Sequence, residues 1–400
     1  MRGLGRNAKY YISGNVGILL LTWLLYAIGN SITMPYLSIY MKMLGANAID
    51  IGITYSVAMT VQLLAIIPGG YLSDTIGRRR SIVIGTWIVT ATSFLMVIPP
   101  NWQALMIIYA LNSAAAYYQP ALLALILDSL PPSRYASGIL ITSVIPQIPW
   151  LILPPLGGSL INKYGLLGIR IAYLVSAVVS LIVALIRQYT IKETLNGTKS
   201  SVSFKEVLRS YYLLRSITDL PKDLLRIYVM TLMLFIALMP MNTLLPIYVV
   251  YRLKLNTVYW GYLVSLSYAA YIMINVLLAF YVDKLRNKLV LWGITAIVIG
   301  SILGLLDRLV SIIIYLVLLQ VGSQLMMTAL QSRVGDLVSV DRRGHGIGLM
   351  IIFQLLGQAI GSYLSGTLYR LTTASLFLIP LTLAIIILTL NLIPGRSRNK

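Results

Sequence analysis

The feature that most restricts this chain is the length and continuity of its uncharged apolar runs. Residues 82–98 and 312–319 contain no Asp, Glu, Lys or Arg, and they lack the apolar–polar alternation, in segments of about 10 residues, that a membrane β-barrel needs. A helix crosses the hydrocarbon layer in about 20 to 25 apolar residues, so a chain of 400 residues has room for about a dozen crossings. Composition names the solvent. Only 10% of the residues are charged and 58% are hydrophobic, against about 25% charged in a soluble domain, so too little polar surface exists to coat water-soluble domains of this length. An ordinary soluble enzyme is excluded, and lipid is the expected surrounding. The absence of cysteine also removes disulfides, thiolate metal sites and cysteine nucleophiles.

Apolar segments bounded by charge or by Gly, Pro and Asn predict twelve spans. They lie near residues 15–40, 47–72, 81–98, 103–127, 136–162 and 166–188, then 227–251, 258–282, 289–306, 310–335, 345–369 and 373–393. With twelve spans both termini share a side. The tails and the even-to-odd connections then hold 24 of the 31 Lys and Arg, Arg187 among them, and the opposite side holds 7. The positive-inside rule places both termini in the cytoplasm of a multi-pass protein of the cell membrane. It also accounts for the net charge of +20 through topology and anionic lipid headgroups, so membrane lipids and not nucleic acid are the expected partners of that charge.

A shift of 208 or 209 residues superposes sparse polar positions. Gly52 falls on Gly261, Asp74 on Asp283, and Asn112 on Gln320; Asp128, Arg134 and Gly138 fall on Asp336, Arg342 and Gly346. The chain therefore reads as an all-α membrane protein of two six-helix parallel repeats: an N-terminal bundle over 1–190, a linker over 191–226, and a C-terminal bundle over 227–400. Within the linker, Phe204, Val207, Leu208, Tyr211 and Leu214 recur at helical spacing among charges, the pattern of an interfacial helix.

Between the second and third spans stand Gly70, Asp74, Gly77, Arg78, Arg79 and Arg80. A tight connection uses glycine, a carboxylate suits a helix N-terminus, and arginine offers a fork for a carboxylate. The spacing resembles the loop signature of the major facilitator superfamily. A worn copy follows span eight, with Asp283 and Lys288 kept and Ala279, Arg286 and Asn287 where the signature has two glycines and an arginine. The resemblance implies a fold of twelve helices in two halves and a transporter rather than an enzyme. It further implies that Asp74 meets the start of span eleven near Gly344 and His345, that Arg78 pairs with Asp128, and that these contacts break as the halves rock. Arg134, Asp283, Asp336 and Arg342 join the gating set through the repeat.

Span five carries Pro146, Pro149, Pro154 and Pro155 before Gly157 and Gly158, so it is expected to bend and to pack closely. Pro154 to Gly158 also resembles the end of the superfamily's antiporter motif, though Leu153 stands in place of its glycine; Gly361, Ser365 and Gly366 lie at the repeat offset. Packing is the preferred reading.

All 11 acidic residues fall at span ends or in connections, which weighs against carboxylate proton relays inside the membrane. Neutral polar residues remain: Tyr26, Asn30 and Thr33; Asn112 and Gln119; Gln147 and Trp150; Tyr268 and Asn275; Gln320 and Gln324; and Gln354. Amides in lipid should face the bundle interior, where they either bond neighbouring helices or line a cavity for a neutral or amphipathic organic solute. The expected activity is secondary transport by alternating access, in the export direction, by a monomer without cofactor or metal. A proton or other counter-ion is the candidate coupling partner. An uncoupled facilitator of a neutral metabolite or sugar, and a membrane receptor or lipid-handling protein, are the alternatives.

Overall fold

The computed structural model describes residues 13–131, 134–195, 202–212, 217, 220–339 and 343–392, except for the side chains at 136, 137, 139, 140, 143 and 279–287. Every regular element among the described residues is helical. Nine helices among them are long and apolar enough to cross a membrane: Gly14–Met43, Ala48–Ile76, Trp102–Ser129, Leu166–Thr190, Lys222–Arg252, Thr257–Leu278, Leu309–Leu337, Arg343–Leu371 and Ser375–Leu392. The predicted span three is the helix Arg78–Leu95, which opens on three arginines.

Prolines set the breaks. Span five is divided into Tyr135–Val144, a 3-10 turn Ile145–Gln147, Ile148–Ile152 and Pro154–Tyr164, and each of the last three pieces starts with a proline in its first turn. There the missing N–H costs nothing, because the first amides of a helix lack partners anyway. Gly77, at φ 96°, makes the corner between Ala48–Ile76 and Arg78–Leu95.

The second half differs from expectation at the matching place. Spans eight and nine, predicted as separate, run as one helix, Thr257–Gly304, containing the shorter apolar stretch Lys288–Gly304. Arg286 stands where the first half has Gly77, and a left-handed corner is costly for any residue with a Cβ.

The helices gather into two compact units. One comprises Met1–Leu44, Val61–Arg215 and Asn256–Ser265; the other comprises Gly45–Thr60, Ser216–Leu255 and Leu266–Lys400. In the first unit, Val16, Leu19, Ile82, Leu122, Leu125 and Ile126 form an apolar core. Beside it Asn15 clasps the chain leaving span six, accepting from the Lys192 amide at 2.9 Å and donating to the Lys192 carbonyl at 3.0 Å.

The same unit holds a second knot around Tyr36, which is fully buried. The Tyr36 hydroxyl donates to the Pro154 carbonyl at 2.6 Å and to the Thr257 carbonyl at 3.4 Å. Thr257 Oγ1 donates to the Gly158 carbonyl at 2.6 Å, and the Trp260 indole donates to the Pro35 carbonyl at 2.8 Å. Gly158 has no room for a side chain, since a Cβ there would lie 2.4 Å from the Thr257 oxygen.

In the second unit, buried tyrosines also find backbone partners. Tyr228 donates to the Gly346 carbonyl at 2.9 Å and stacks on Phe353, and Tyr315 donates to the Leu376 carbonyl at 3.0 Å. Gly52 and Gly366 lie back to back, as close packing of helices in lipid favours.

Candidate functional site

At the start of the helix Arg78–Leu95, free backbone amides meet a carboxylate from a distant connection. Glu193 Oε1 accepts from the Arg78 amide at 3.1 Å and Oε2 from the Arg79 amide at 3.0 Å. Oε1 also accepts from the amides of Thr194 at 3.0 Å and Leu195 at 3.1 Å. The helix thus has an external N-cap with the charge that its dipole favours. The Arg78 side chain forms an ion pair with Asp128, at the end of the helix Gln119–Ser129. Thr194 Oγ1 donates to the same carboxylate at 2.7 Å, and Arg79 Nη2 donates to the Gln188 carbonyl at 2.7 Å. One knot therefore ties the connection after span two, the end of span four and the exit of span six.

Deeper in this unit lies a cavity of about 380 Å³, lined by Trp23, Tyr26, Tyr118, Gln119, Thr142 and Arg187, with leucine and isoleucine completing the wall. Its shape depends on a break in span four. Pro120 cannot donate a helical hydrogen bond, and the preceding residues Ala115–Tyr118 tighten into a 3-10 turn in which the Gln119 amide bonds the Ala116 carbonyl. Two glycines make room for that turn: a Cβ on Gly69 would lie 2.2 Å from the Tyr117 oxygen, and one on Gly85 would lie 2.0 Å from the Tyr118 ring. Arg187 is 2% exposed. Its Nε donates to Thr22 Oγ1 at 3.1 Å and its Nη1 to Thr86 Oγ1 at 3.0 Å.

A family model described as the Major Facilitator Superfamily matches residues 19–306 and 227–400, nearly the whole chain. The chain belongs to the major facilitator superfamily. Among its relatives, an uncharacterized MFS-type transporter of Methanocaldococcus jannaschii is 22% identical over 360 residues, covering 88% of this chain and 91% of that protein. The quinolone resistance protein NorA of Staphylococcus aureus is 21% identical over 350 residues and 86% of both chains. Two solved structures share the fold. The human organic anion transporter MFSD10 (TETRAN) has a TM-score of 0.70 at 17% identity, with 94% of this chain and 98% of that one covered. A mutant of the nucleoside transporter NupG has a TM-score of 0.74 at 14% identity, with 94% and 99% covered. This is a multi-pass membrane protein of a transporter superfamily that carries small molecules.

Within the superfamily's loop signature, Gly77, Arg78 and Arg79 occupy the knot described above, while Asp74 is exposed on the last turn of Ala48–Ile76. Gly70 faces open space, and its neighbour Gly69 is the glycine that the packing requires. Arg134 stands at the N-cap position of the helix Tyr135–Val144 without a side-chain cap bond, and Asp336 borders a cavity of about 230 Å³ with Asp223, Arg226 and Arg333. The side chain of Asp283 and the whole of Arg342 lie outside the described residues.

Of the polar set, Tyr26 and Gln119 line the larger cavity, and half-buried Asn30 is one turn from Tyr26. Thr33 is buried and bonds back to the Gly29 carbonyl of its own helix at 3.0 Å. Asn112 donates to Thr92 Oγ1 at 2.7 Å, a tie between helices that uses its amide for packing. Gln147 and Trp150 are half-buried in the broken span five. In the second unit, Gln324 Nε2 donates to Asn275 Oδ1 at 2.9 Å, Asn275 donates to the Tyr271 carbonyl at 2.8 Å, and the rings of Tyr268 and Tyr271 meet edge-on. Gln320 and Gln354 are half-buried.

The sequence reading missed three parts of this arrangement. Arg187 counted as a topology charge, although it sits three residues inside the helix Leu166–Thr190. Glu193 and Thr194 carried no gating role, although only a carboxylate can serve so many amide donors at once. Trp23 and Tyr118 lay among many aromatic residues with no pattern to single them out.

Proposed function

We propose that the protein is a secondary transporter of the cell membrane that exports a small neutral or amphipathic organic solute by rocker-switch alternating access, with both termini in the cytoplasm. The observation that supports this most directly is the family match over nearly the whole chain, together with the cavity of about 380 Å³ lined by Trp23, Tyr26, Tyr118 and Gln119. The knot of Arg78, Asp128, Glu193 and Thr194 lies within one compact unit, so it holds those helices together as a body that can move as one. Asp74 forms the closure that breaks, against the start of span eleven near Gly344 and His345, and Asp283, Asp336, Arg134 and Arg342 act in the repeat-related latch. Tyr26, Asn30, Gln119, Gln147, Trp150, Tyr268, Asn275, Gln320, Gln324 and Gln354 supply the solute's polar contacts. The quinolone resistance relative supports the export direction and an aromatic, amphipathic cargo.

An uncoupled facilitator is the second reading, favoured by where the acids stand. Asp50 is in the first turn of its helix and Asp128 at the end of its own, so neither sits at a span's middle. Counterflow of a radiolabelled quinolone and of a neutral aromatic dye in proteoliposomes tests transport. Saturable exchange that falls in Arg78→Ala, with membrane insertion intact, is expected. Exchange no faster than in empty liposomes for both compounds overturns the proposal.

A further inference from the structure

We propose that the cavity beside Arg187 is a subsite for the carboxylate of an aromatic, amphipathic solute, with the guanidinium as the charge-recognising group. The inference rests on the transporter reading and narrows its substrate class. A buried cation in a membrane protein ordinarily pairs with an acid or escapes to the interface, and Arg187 does neither. No ion pair among the described residues includes it, and its hydrogen-bond partners are two neutral hydroxyls. Escape was available. Arg187 is in the last turn of Leu166–Thr190, close enough to the helix end for a long side chain to reach headgroups. Helical side chains lean toward their N-terminus, and this one follows that lean inward, to Thr22 two turns inside the helix that begins at Gly14.

A purely structural tie between Thr22 and Thr86 needs only a neutral donor. Arg187 keeps a full charge there, at the edge of a cavity of about 380 Å³, within the range of small-ligand sites. The walls suit an aromatic acid: Trp23, Tyr26 and Tyr118 offer ring faces, and the exposed Gln119 offers an amide. A carboxylate bound against the guanidinium would supply the anion that the protein withholds, through the two-pronged geometry that favours Arg.

The test is isothermal titration of purified protein in a neutral detergent with 1-naphthoate and with its uncharged isostere 1-naphthamide. At least tenfold tighter binding of naphthoate is expected, falling to less than twofold in Arg187→Gln. Because Arg187→Gln can loosen the bundle, Gln119→Glu provides an independent variant: Gln119 is exposed, and a carboxylate there should weaken naphthoate binding at least tenfold more than naphthamide binding. Equal affinity for the two compounds, no binding of naphthoate, or a preference that survives both substitutions overturns the site. Repeating the titration in nanodiscs with and without phosphatidylglycerol separates the two sources of anion. Unchanged naphthoate affinity supports a solute site, and displacement by the lipid overturns that assignment in favour of a headgroup phosphate. Binding is read without flux, so charge-selective binding with no counterflow refutes transport alone, and counterflow without charge selectivity refutes this site alone.

Discussion

Replacing Gly158 by alanine puts a methyl group where the knot around Tyr36 has no space. The added carbon would lie 2.4 Å from the Thr257 carbonyl oxygen and 2.7 Å from the Tyr36 hydroxyl, so the backbone at Thr257 must retreat by about 1 Å to restore ordinary contact. That retreat stretches the 2.6 Å bond from Thr257 to Gly158 beyond hydrogen-bonding range and displaces the Tyr36 hydroxyl from Pro154, now at 2.6 Å. Overpacking costs about 1–3 kcal/mol, and each hydrogen bond lost inside a membrane bundle costs about 0.6 kcal/mol more. A total of about 2–4 kcal/mol against this arrangement lowers its population roughly 30- to 700-fold relative to any conformation in which the helices are apart. The absence of native cysteine permits a clean readout. Nitroxides attached at Leu156→Cys and Tyr259→Cys, both exposed positions of one unit, should give a single short distance in the parent and a dominant longer one in Gly158→Ala. Gly70→Ala, where a methyl group meets nothing within 4 Å, is the control. An unchanged distance distribution in Gly158→Ala, or the same change in Gly70→Ala, refutes the reasoning.

Glu193→Ala removes the external cap of the helix Arg78–Leu95; a loss of about 1 kcal/mol should lower the thermal midpoint in detergent by about 2–4 °C, and an unchanged midpoint would show that water caps that helix equally well. A double-mutant cycle of Arg78→Ala with Asp128→Asn should return a coupling of about 0.5–3 kcal/mol in unfolding free energy, with additivity as the contrary result. Gly85→Ala places a carbon 2.0 Å from the Tyr118 ring and should destabilise the protein by about 1–3 kcal/mol. Tyr118→Ala should rescue it; failure of that rescue in thermal unfolding would place the strain elsewhere.

What the sequence disclosed follows from the range over which each signal acts. Most of the spans and the corner at Gly77 are legible because hydrophobic length and a left-handed backbone are properties of consecutive residues. The Arg78 and Asp128 pairing was accessible through the family resemblance, which records a contact that no spacing rule contains. Arg187 was misread because a basic residue three positions before a helix end has the same local signature whether its side chain turns outward to lipid headgroups or inward to Thr22 and Thr86. Asn112 and Gln119 share one face of span four in the sequence, yet the 3-10 turn between them sends the first to Thr92 and the second to the cavity. The merging of spans eight and nine rests on glycines that are missing at 279 and 286; their loss was visible in the worn motif, but the charges between the spans still read as a break.

The wall of the larger cavity has a division of labour. Its backbone course is set by Pro120 and Gly69, and Gly85 leaves the space for the Tyr118 ring; none of these three is among the residues lining the cavity. The side chains that do line it at 118 and 119 hang from a scaffold fixed by other positions. Selection on cargo can therefore act most freely at Tyr26 and Gln119, because Trp23 and Tyr118 also pack against the apolar core, and a library confined to Tyr26 and Gln119 should yield mostly folded proteins that differ in what they accept.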